Sequence, residues 1–467
     1  MGNQRIRDPL HDLVVFSSSE LERTLWKVME TRPFQRLRRV KQLGFSDLVY
    51  PGASHTRFAH SVGVFHTARQ LMAVVHDHVR QEETSKEQKA LAAALLHDLG
   101  HGPFSHAFEE IGRKLELKLA DHETMSDTLI RQSEVADVLN RQFGRGFADE
   151  VADIIKKDGV KAVQHAVVSS QFDADRLDYI RRDRMMTGSQ HAAIDFSWLI
   201  ANLEIGAVPV GVDDQQVGTI ETFVLGPKAI HAAEAFVLGL FQLYPTIYFH
   251  KATRGAEKIF AELLIRAVTL VRDDKISTTG LPAHHPIVRF AQKPEDVDVA
   301  LTLDDSVVYG ALTMMTEAED RLVAEFAGRL RDRKLYKCCD IRMQVTNVLD
   351  PTSQNTDELI ARIDACCAEI EKKIAEWMFA KSNGHPRILI DKGERSPYKA
   401  VNESKGPLDR INIRTESGAL VDLKERSAVV AALKAFKLLR AYADAADREA
   451  QKIISDIIGQ EIKACRT

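Results

Sequence analysis

Residues 90–106 read ALAAALLHDLGHGPFSH, and this stretch decides the fold class. Its first seven residues are apolar on nearly every side of a helix, which is typical of a buried helix. A single histidine on such a helix would usually be a core residue. Here His97 and Asp98 are adjacent, and His101 and His106 follow around a Gly-X-Gly-Pro break. Imidazole and carboxylate together suit a divalent ion such as Mn, Fe, Zn or Ni, so the pattern predicts a metal site.

Adjacent residues on a helix point about 100° apart, so His97 and Asp98 can bind one ion only if it lies between their directions. Two further ligands must come from other segments. His60, near the start of a helix predicted from Ser61, is one candidate. Asp175 is the other, since Asp175, Tyr179 and Asp183 stand at i, i+4 and i+8 and share a helix face. That face would carry a metal ligand, a phenol and a second carboxylate.

The composition of the 467-residue chain is that of a globular protein, with 45% hydrophobic and 28% charged residues. With 63 basic and 67 acidic residues the net charge is −4, which argues against a general nucleic-acid coat. The basic run Arg36, Arg38, Arg39 and Lys41 fits a solvated helix face or an anion pocket at a subunit contact, with nucleic-acid binding as the weakest reading. The five cysteines predict reduced thiols. Without an apolar leader or a long apolar run, we expect a soluble, cytoplasmic protein and no membrane partner.

The apolar spacing predicts a mainly α fold with a mixed α+β region toward the C-terminus. Helices are expected over Glu20–Val40, Ser61–Arg80, Gln88–Leu99, Asp357–Ala380 and Arg426–Ile458, a hairpin over Leu203–Val210 and Thr219–Leu225, and short strands at Pro386–Asp391, Ile411–Arg414 and Ala419–Leu423.

Four stretches in order closely resemble the HD-domain phosphohydrolases. They are FQRLRRVKQLG (34–44), PGASHTRFAHSVGV (51–64), LHDLGHGPFSH (96–106) and DADRLDY (173–179). The chain is most similar to the deoxynucleoside triphosphate triphosphohydrolases, the branch that includes the SAM- and HD-domain protein, here without a SAM domain. The resemblance is strong from residue 5 to about 260. It implies an HD-domain helical core with a helical extension over residues 1–345, and an α+β lobe over residues 346–467.

The resemblance also implies roles for individual residues. The implied metal ligands are His60, His97, Asp98 and Asp175. The implied reaction centre contains His101, His106 and His122, with His106 as general acid, and the phosphate-binding Arg57. Arg176 stands where a phosphate-binding lysine is common, Gln42 and Asp183 match a pair that holds the sugar 3′-hydroxyl, and Leu43, Tyr179 and Tyr248 match positions that crowd the 2′ carbon and base. The candidate activator positions are Arg5, Arg7, Glu30, Gln35 and Arg38, and Glu30 departs from the family in standing where an aspartate is found.

The expected activity is metal-dependent hydrolysis of deoxynucleoside triphosphates to deoxynucleoside and triphosphate. The metal would be Mn, Mg, Fe, Zn or Ni, and a nucleotide activator and a homo-dimer or homo-tetramer are expected partners. Two alternatives stay open at this point: an HD-domain phosphohydrolase acting on a signalling nucleotide or a nucleoside monophosphate, and a regulatory or nucleic-acid-binding protein with an idle site. A phosphate-contacting arginine of the animal enzyme falls near Leu240 here, and Arg254 is a candidate substitute.

Overall fold

The structure is a computed structural model that describes residues 2–79, 84–156, 162–212, 215–352, 354, 356–381, 385–396, 398 and 410–466. The chain divides into two compact units, and each is assembled from three segments. Unit 1 consists of Met1–Ile247, Lys293–Val308 and Pro397–Lys434, and unit 2 of Tyr248–Gln292, Tyr309–Ser396 and Ala435–Thr467. A domain boundary between residues 345 and 346 stays a prediction. The predicted mainly α fold is confirmed.

Unit 1 carries most of the helices. Its elements are β1 (Gln4–Asp8), β2 (Asp12–Phe16), α1 (Glu20–Met29), α2 (Arg32–Arg36), α3 (Arg57–His78), α4 (Thr84–Leu96), α5 (His106–Leu115), α6 (His122–Gln132), α7 (Glu134–Phe143), α8 (Phe147–Lys156), α9 (Ala166–Ser169), α10 (Ala174–Thr187), α11 (Phe196–Ala201), β3 (Leu203–Val212), β4 (Gln215–Leu225), α12 (Ile230–Leu243), α15 (Val297–Ala300), β7 (Asn412–Arg414), β8 (Leu420–Asp422), α20 (Leu423–Arg426) and α21 (Ala428–Ala432). β1 pairs with β2 as a hairpin, and β3-β4-β7-β8 form a four-stranded sheet.

Helices α3 and α4 form the core that positions the site. The last turns of α4, from Ala90 to Leu96, are buried as the apolar run predicts. α3 packs against both α4 and α10. The three helices therefore bring segments that are far apart in sequence to one place.

Unit 2 is a helical layer with a small sheet. Its elements are α13 (Lys251–Arg272), α14 (Pro286–Gln292), α17 (Arg321–Arg331), β5 (Lys337–Asp340), α18 (Ile341–Leu349), α19 (Asp357–Lys381), β6 (Ile388–Arg395), β9 (Phe436–Ala443) and α22 (Arg448–Arg466), and it shares α16 (Asp305–Met315) with unit 1. The sheet order is β5-β9-β6, with β9 antiparallel to both neighbours. Cys366 and Cys367 of α19 are buried in the core between the sheet and α22, as packing residues.

Two helix predictions are wrong in extent. The predicted helix Arg426–Ile458 is interrupted by β9, a central strand whose last six residues are buried. A short apolar run buried on both faces of a sheet has the same pattern as a buried helix segment, so periodicity could not separate them. The predicted helix Glu20–Val40 ends at Met29, and a new helix starts with Pro33 in its first turn, where proline is tolerated.

Among the residues that the structure describes, no single helix has both the length and the apolar character to cross a membrane. One bent pair, Pro227–Tyr248 with Lys251–Arg272, passes the same test of length and composition when taken together.

Candidate metal and active site

The end of α4 places the His-Asp pair. The helix ends at Leu96, and the next residues are His97 and Asp98. Gly100 then lies against α6: a Cβ atom there would come within 2.3 Å of the Ser126 nitrogen and 2.4 Å of the His122 carbonyl oxygen. Only glycine permits this approach, which brings His122, the first residue of α6, to the same site.

The four predicted metal ligands converge. His60 Nε2 lies 3.0 Å from Asp175 Oδ1 and 3.6 Å from Asp98 Oδ2. His97 Nε2 lies 3.4 Å from Asp98 Oδ1 and 3.6 Å from Asp175 Oδ1. The side chains come from α3, the end of α4 and α10. His60, His97 and Asp175 offer ligand atoms that are close enough to share one ion, and Asp98 lies beside them.

The second nitrogen of each histidine explains why Nε2 faces the centre. His60 Nδ1 donates to Asp178 Oδ2 at 2.9 Å, and His97 Nδ1 donates to the Ala94 carbonyl at 2.9 Å. With Nδ1 protonated, Nε2 carries the lone pair that a metal needs. His97 Nε2 is buried and makes no hydrogen bond to a described residue. An orphaned, buried nitrogen between two carboxylates fits a divalent ion.

The electrostatics favour positive charge at this point. Burial lowers the pKa of His60, but hydrogen bonds with Asp175 and Asp178 and the charge of Asp98 outweigh it and raise the pKa to about 10. Asp178 is fully buried and also accepts from Arg182 Nε at 2.7 Å. The field that holds a proton on His60 would equally attract a metal ion.

The N-terminal hairpin contacts this network. His11 Nε2 lies 2.7 Å from Asp178 Oδ1, and Arg182 Nη1 donates to Asp8 Oδ2 at 2.8 Å. The space is made by Gly63 of α3, because a Cβ atom there would lie 2.1 Å from Asp178 Oδ1.

Three predicted reaction-centre histidines surround Glu109. Oε1 of Glu109 accepts from His106 Nδ1 at 3.1 Å and from His122 Nδ1 at 2.7 Å, and His101 Nδ1 lies 3.7 Å away. Together His101, His106, Glu109 and His122 form a second group with metal-ligand distances. However, the rings of His101 and His122 stack at 4.1 Å and 8°, so their lone pairs lie in two nearly parallel planes, an arrangement poorly suited to binding one ion. The group is better suited to orienting imidazoles for proton transfer.

The phosphate-binding candidates differ in their surroundings. Arg57 is buried, donates from Nε to Ser105 Oγ at 2.9 Å and pairs through Nη1 with Asp98 Oδ2. Arg176 donates from Nη1 to the Ser170 carbonyl at 2.7 Å, and the charge of Asp173 raises its pKa despite burial. A cavity of about 210 Å³ is lined by both the His-Asp pair and Arg176.

The sugar-binding candidates are joined by a residue that sequence reasoning missed. His55 is buried, its Nε2 lies 2.8 Å from Asp183 Oδ1, and its carbonyl accepts the Gln42 N–H at 3.0 Å. The Gln42 side-chain oxygen is buried and makes no hydrogen bond to a described residue. Leu43 follows and is half-buried, and burial raises the pKa of Tyr179 on α10 well above its ordinary value.

The activator candidates fall into two groups. Arg38 donates to Gln35 Oε1 at 2.9 Å, and its guanidinium lies 3.6 Å from the centre of the Phe58 ring. Glu30 accepts from the Trp26 indole and lines a separate cavity of about 520 Å³. Arg5 and Arg7 lie on β1, whose first residue, Gln4, also lines that cavity, but neither arginine is itself a lining residue.

Two candidates lie in unit 2. Tyr248 begins that unit, so its predicted place beside the base stays a prediction. Arg254, the candidate substitute for a phosphate-contacting arginine, pairs with Glu257 and with the buried Asp391. These carboxylates pair with its charge inside unit 2.

Sequence signals for the missed residues existed but were weak. Asp178 stands three positions after Asp175, and Glu109 three positions after His106, so each lies one helical turn from a predicted residue. Such spacing is common in surface ion pairs.

Comparison with known proteins places this geometry in a family. The HD domain matches residues 57–180, and HD domains bind divalent metal ions. The chain is 34% identical to the uncharacterized protein YwfO of Bacillus subtilis over 430 residues, covering 91% of this chain and 88% of that one. It is 27% identical over 361 residues to the deoxynucleoside triphosphate triphosphohydrolase SAMHD1 homolog of Dictyostelium discoideum, covering 75% of this chain and 63% of that one. A phosphohydrolase structure from Bacteroides thetaiotaomicron superposes with a TM-score of 0.70 at 24% identity, over 94% of this chain and 99% of that one, which shows the shared fold. The chain therefore belongs to the HD-domain family and is a metal-dependent phosphohydrolase.

Proposed function

We propose that this protein hydrolyses deoxynucleoside triphosphates to deoxynucleoside and triphosphate in the cytoplasm. The observation that carries the proposal is the face of α10. Asp175, a candidate metal ligand, and Asp183, a candidate for the sugar 3′-hydroxyl, are eight residues apart, or about 12 Å along the helix axis. Tyr179 lies between them on the same face. A distance of that length would span one phosphate and one sugar.

The chemistry of cleavage follows from the side chains around that row. A bound divalent ion would polarise a phosphate oxygen and lower the pKa of a water. Arg57 and Arg176 offset the negative charge of the phosphates, for which planar guanidinium groups are suited. His106 is 69% exposed in its side chain and is held through Nδ1 by Glu109. Its imidazole can give a proton to the leaving O5′, a contribution of about 10²–10⁴-fold in rate.

Preference for a deoxyribose rests on the Gln42–His55–Asp183 arrangement. A hydroxyl group bound by Gln42 and Asp183 would satisfy the buried Gln42 oxygen, and Leu43 and Tyr179 would limit space at the 2′ carbon. A site that binds one hydroxyl and excludes another discriminates by several kcal/mol, roughly 10²–10⁵-fold.

We further propose that a nucleotide activates the enzyme in a homo-dimer or homo-tetramer. Support comes from the contact between Arg38, Gln35 and the Phe58 ring, which presents a cation and an amide beside an aromatic face. Arg5, Arg7 and Glu30 are the other candidates. The measurement is the rate on one dNTP with and without a second, together with the mass by light scattering. A monomer with additive rates would contradict this part.

The activity test uses purified protein with each dNTP and each NTP, with Mn or Mg, and with products separated by anion exchange. Deoxynucleoside and triphosphate are expected from dNTPs, with no turnover in His97→Ala. In ¹⁸O-labelled water the label should enter the α-phosphate of triphosphate. Label in a monophosphate or pyrophosphate would place the cut elsewhere.

The alternative substrate class gives a different outcome. If dNTPs are untouched while a nucleoside monophosphate or signalling nucleotide is hydrolysed, the dNTP proposal fails and the alternative stands. Equal rates on ATP and dATP would remove the sugar argument alone.

A further inference from the structure

Asp305 contacts both backbone segments that carry the candidate catalytic and sugar-binding side chains. It is the first residue of α16, lies within unit 1 and is 3% exposed. Its Oδ1 accepts the Phe104 N–H at 2.8 Å, and its Oδ2 accepts the Lys41 N–H at 2.9 Å. Phe104 stands two residues before His106, and Lys41 directly precedes Gln42.

The segment at Phe104 adopts a conformation that needs outside support. Phe104 and Ser105 have φ values of 54° and 56°, in the left-handed region that residues with a Cβ atom disfavour. Such a backbone persists only where its surroundings hold it. The Phe104 ring stacks on Phe45 at 4.0 Å, and Ser105 Oγ donates to the Lys41 carbonyl at 3.0 Å. The strained turn leads directly into α5, whose first residue is His106.

Arg36 holds the other end of the same loop. It is 2% exposed, and its Nη2 donates to the carbonyls of Leu99 at 3.1 Å and His101 at 2.7 Å. Its Nη1 donates to the Leu303 carbonyl at 3.1 Å. The guanidinium therefore faces backbone carbonyls, and the basic run at 36–41 is not a uniformly solvated face. Residues 303–305 thus connect to the loop 99–106 at both ends, through Arg36 at one end and through Asp305 directly at the other.

The neighbouring Asp304 shows that Asp305 is not needed as a helix cap or as a partner for a cation. Asp304 accepts the Val307 N–H at 3.0 Å and pairs with Arg39 at 2.6 Å. Among the described residues Asp305 forms no ion pair. Burying a carboxylate without a cationic partner costs folding free energy. The contribution that Asp305 makes to the structure is therefore its two hydrogen bonds with backbone amides.

We propose that Asp305, together with Arg36, is a positioning residue that fixes the loops 41–43 and 99–106 relative to each other. It touches no substrate and acts through the backbone of Lys41 and Phe104. The inference rests on the proposed function only in assigning the two loops to one active site.

The test compares Asp305→Asn with Asp304→Asn. An asparagine at 305 can accept one amide N–H, while its own NH₂ group opposes the other. We expect amide hydrogen exchange in peptides covering 40–43 and 99–106 to rise at least 10-fold, and kcat for dNTP hydrolysis to fall about 10²-fold, the cost of a misplacement of about 1 Å. Metal content should stay near that of the wild type, since neither the metal ligands nor their partners change. Asp304→Asn should lower the melting temperature and leave kcat and the exchange of both loops unchanged.

Arg36→Lys is the second variant, in case Asp305→Asn does not fold. One ammonium cannot reach all three carbonyls, so exchange should rise at 99–101 by the same measure. Unchanged exchange at both loops in the folded variants overturns the inference. So does a kcat loss in Asp304→Asn equal to that in Asp305→Asn. If the wild-type protein does not hydrolyse dNTPs, the proposed function fails, and the exchange measurement still decides this one.

Discussion

Replacing Asp178 by asparagine tests how the metal centre is oriented. The carboxylate holds His60 Nδ1 at 2.9 Å, which leaves Nε2 facing Asp175. An amide keeps the shape but loses the charge, so the His60 ring is no longer fixed in one tautomer. Loss of such an outer partner lowers metal affinity by about 10–100-fold. That corresponds to about 1.4–2.8 kcal/mol of binding free energy.

The same change also affects stability, and the structure supplies a matched control. Asp178 is one of two carboxylates that pair with the fully buried Arg182, and Asp8 is the other, at 2.8 Å. Removing one partner of a buried ion pair costs about 3–5 kcal/mol. Since a second carboxylate remains in either variant, we expect the lower end of that range for both. Asp8→Asn should therefore match the stability loss without touching His60.

Metal affinity is measured by competition with a chromophoric chelator, and stability by urea unfolding of the metal-free protein. The expected result is weaker metal binding in Asp178→Asn alone, with similar unfolding free energies in the two variants. Wild-type metal affinity in Asp178→Asn, or a loss in Asp8→Asn as large as in Asp178→Asn, would refute the orientation argument.

Two further predictions concern titrating groups. Burial lowers the pKa of His122, but the hydrogen bond with Glu109 outweighs burial and raises that pKa. Glu109→Gln should therefore lower the His122 pKa in an NMR titration and reduce turnover by about 10²-fold. An unchanged His122 pKa would contradict this, and Glu110→Gln, at the next position of α5, is the control. Burial raises the pKa of Asp305 from 3.8 to about 7, and the charge of Asp304 contributes to this rise. The hydrogen bonds from the Phe104 and Lys41 amides and the charge of Lys41 offset the rise in pKa only in part. The folded protein then binds this proton more tightly than the unfolded chain does. The unfolding free energy of the wild type, compared with that of Asp305→Asn, should therefore fall by up to about 4 kcal/mol between pH 4 and 7. Above pH 7 the difference should stay level. Urea unfolding of both proteins across this range measures the difference, and a pH-independent difference would rule out the raised pKa.

Local patterns in the sequence were enough to predict the elements that carry the site. The apolar run before His97 predicted a buried helix, and α4 is buried from Ala90 onward. The i, i+4, i+8 row on α10 needed only helical geometry. The hairpin β3–β4 was predicted from alternation and a polar turn. Where burial on both sides removed the alternation, as in β9, the same reasoning gave a helix instead.

The residues that sequence reasoning missed act through partners that are distant in the chain. His55 meets Asp183 across 128 positions, and Asp305 meets Phe104 across 201. No periodicity links such pairs, because the contact exists only after the helices have packed. Arg36 was part of a basic run, and its burial against carbonyls could not be read from its neighbours in sequence.

The two metal-facing histidines show the same division within one site. His97 takes its orientation locally, since Nδ1 donates to the Ala94 carbonyl three residues earlier on α4. His60 takes its orientation from Asp178, 118 positions away, and Asp178 is in turn shared with His11 of the N-terminal hairpin. The orientation of His97 is therefore fixed once α4 forms, whereas that of His60 depends on the packing of α3, α10 and the hairpin. It follows that replacing the His11 imidazole, which contacts Asp178 directly, should reach the metal through His60. His97 should keep its tautomer in every variant that preserves α4.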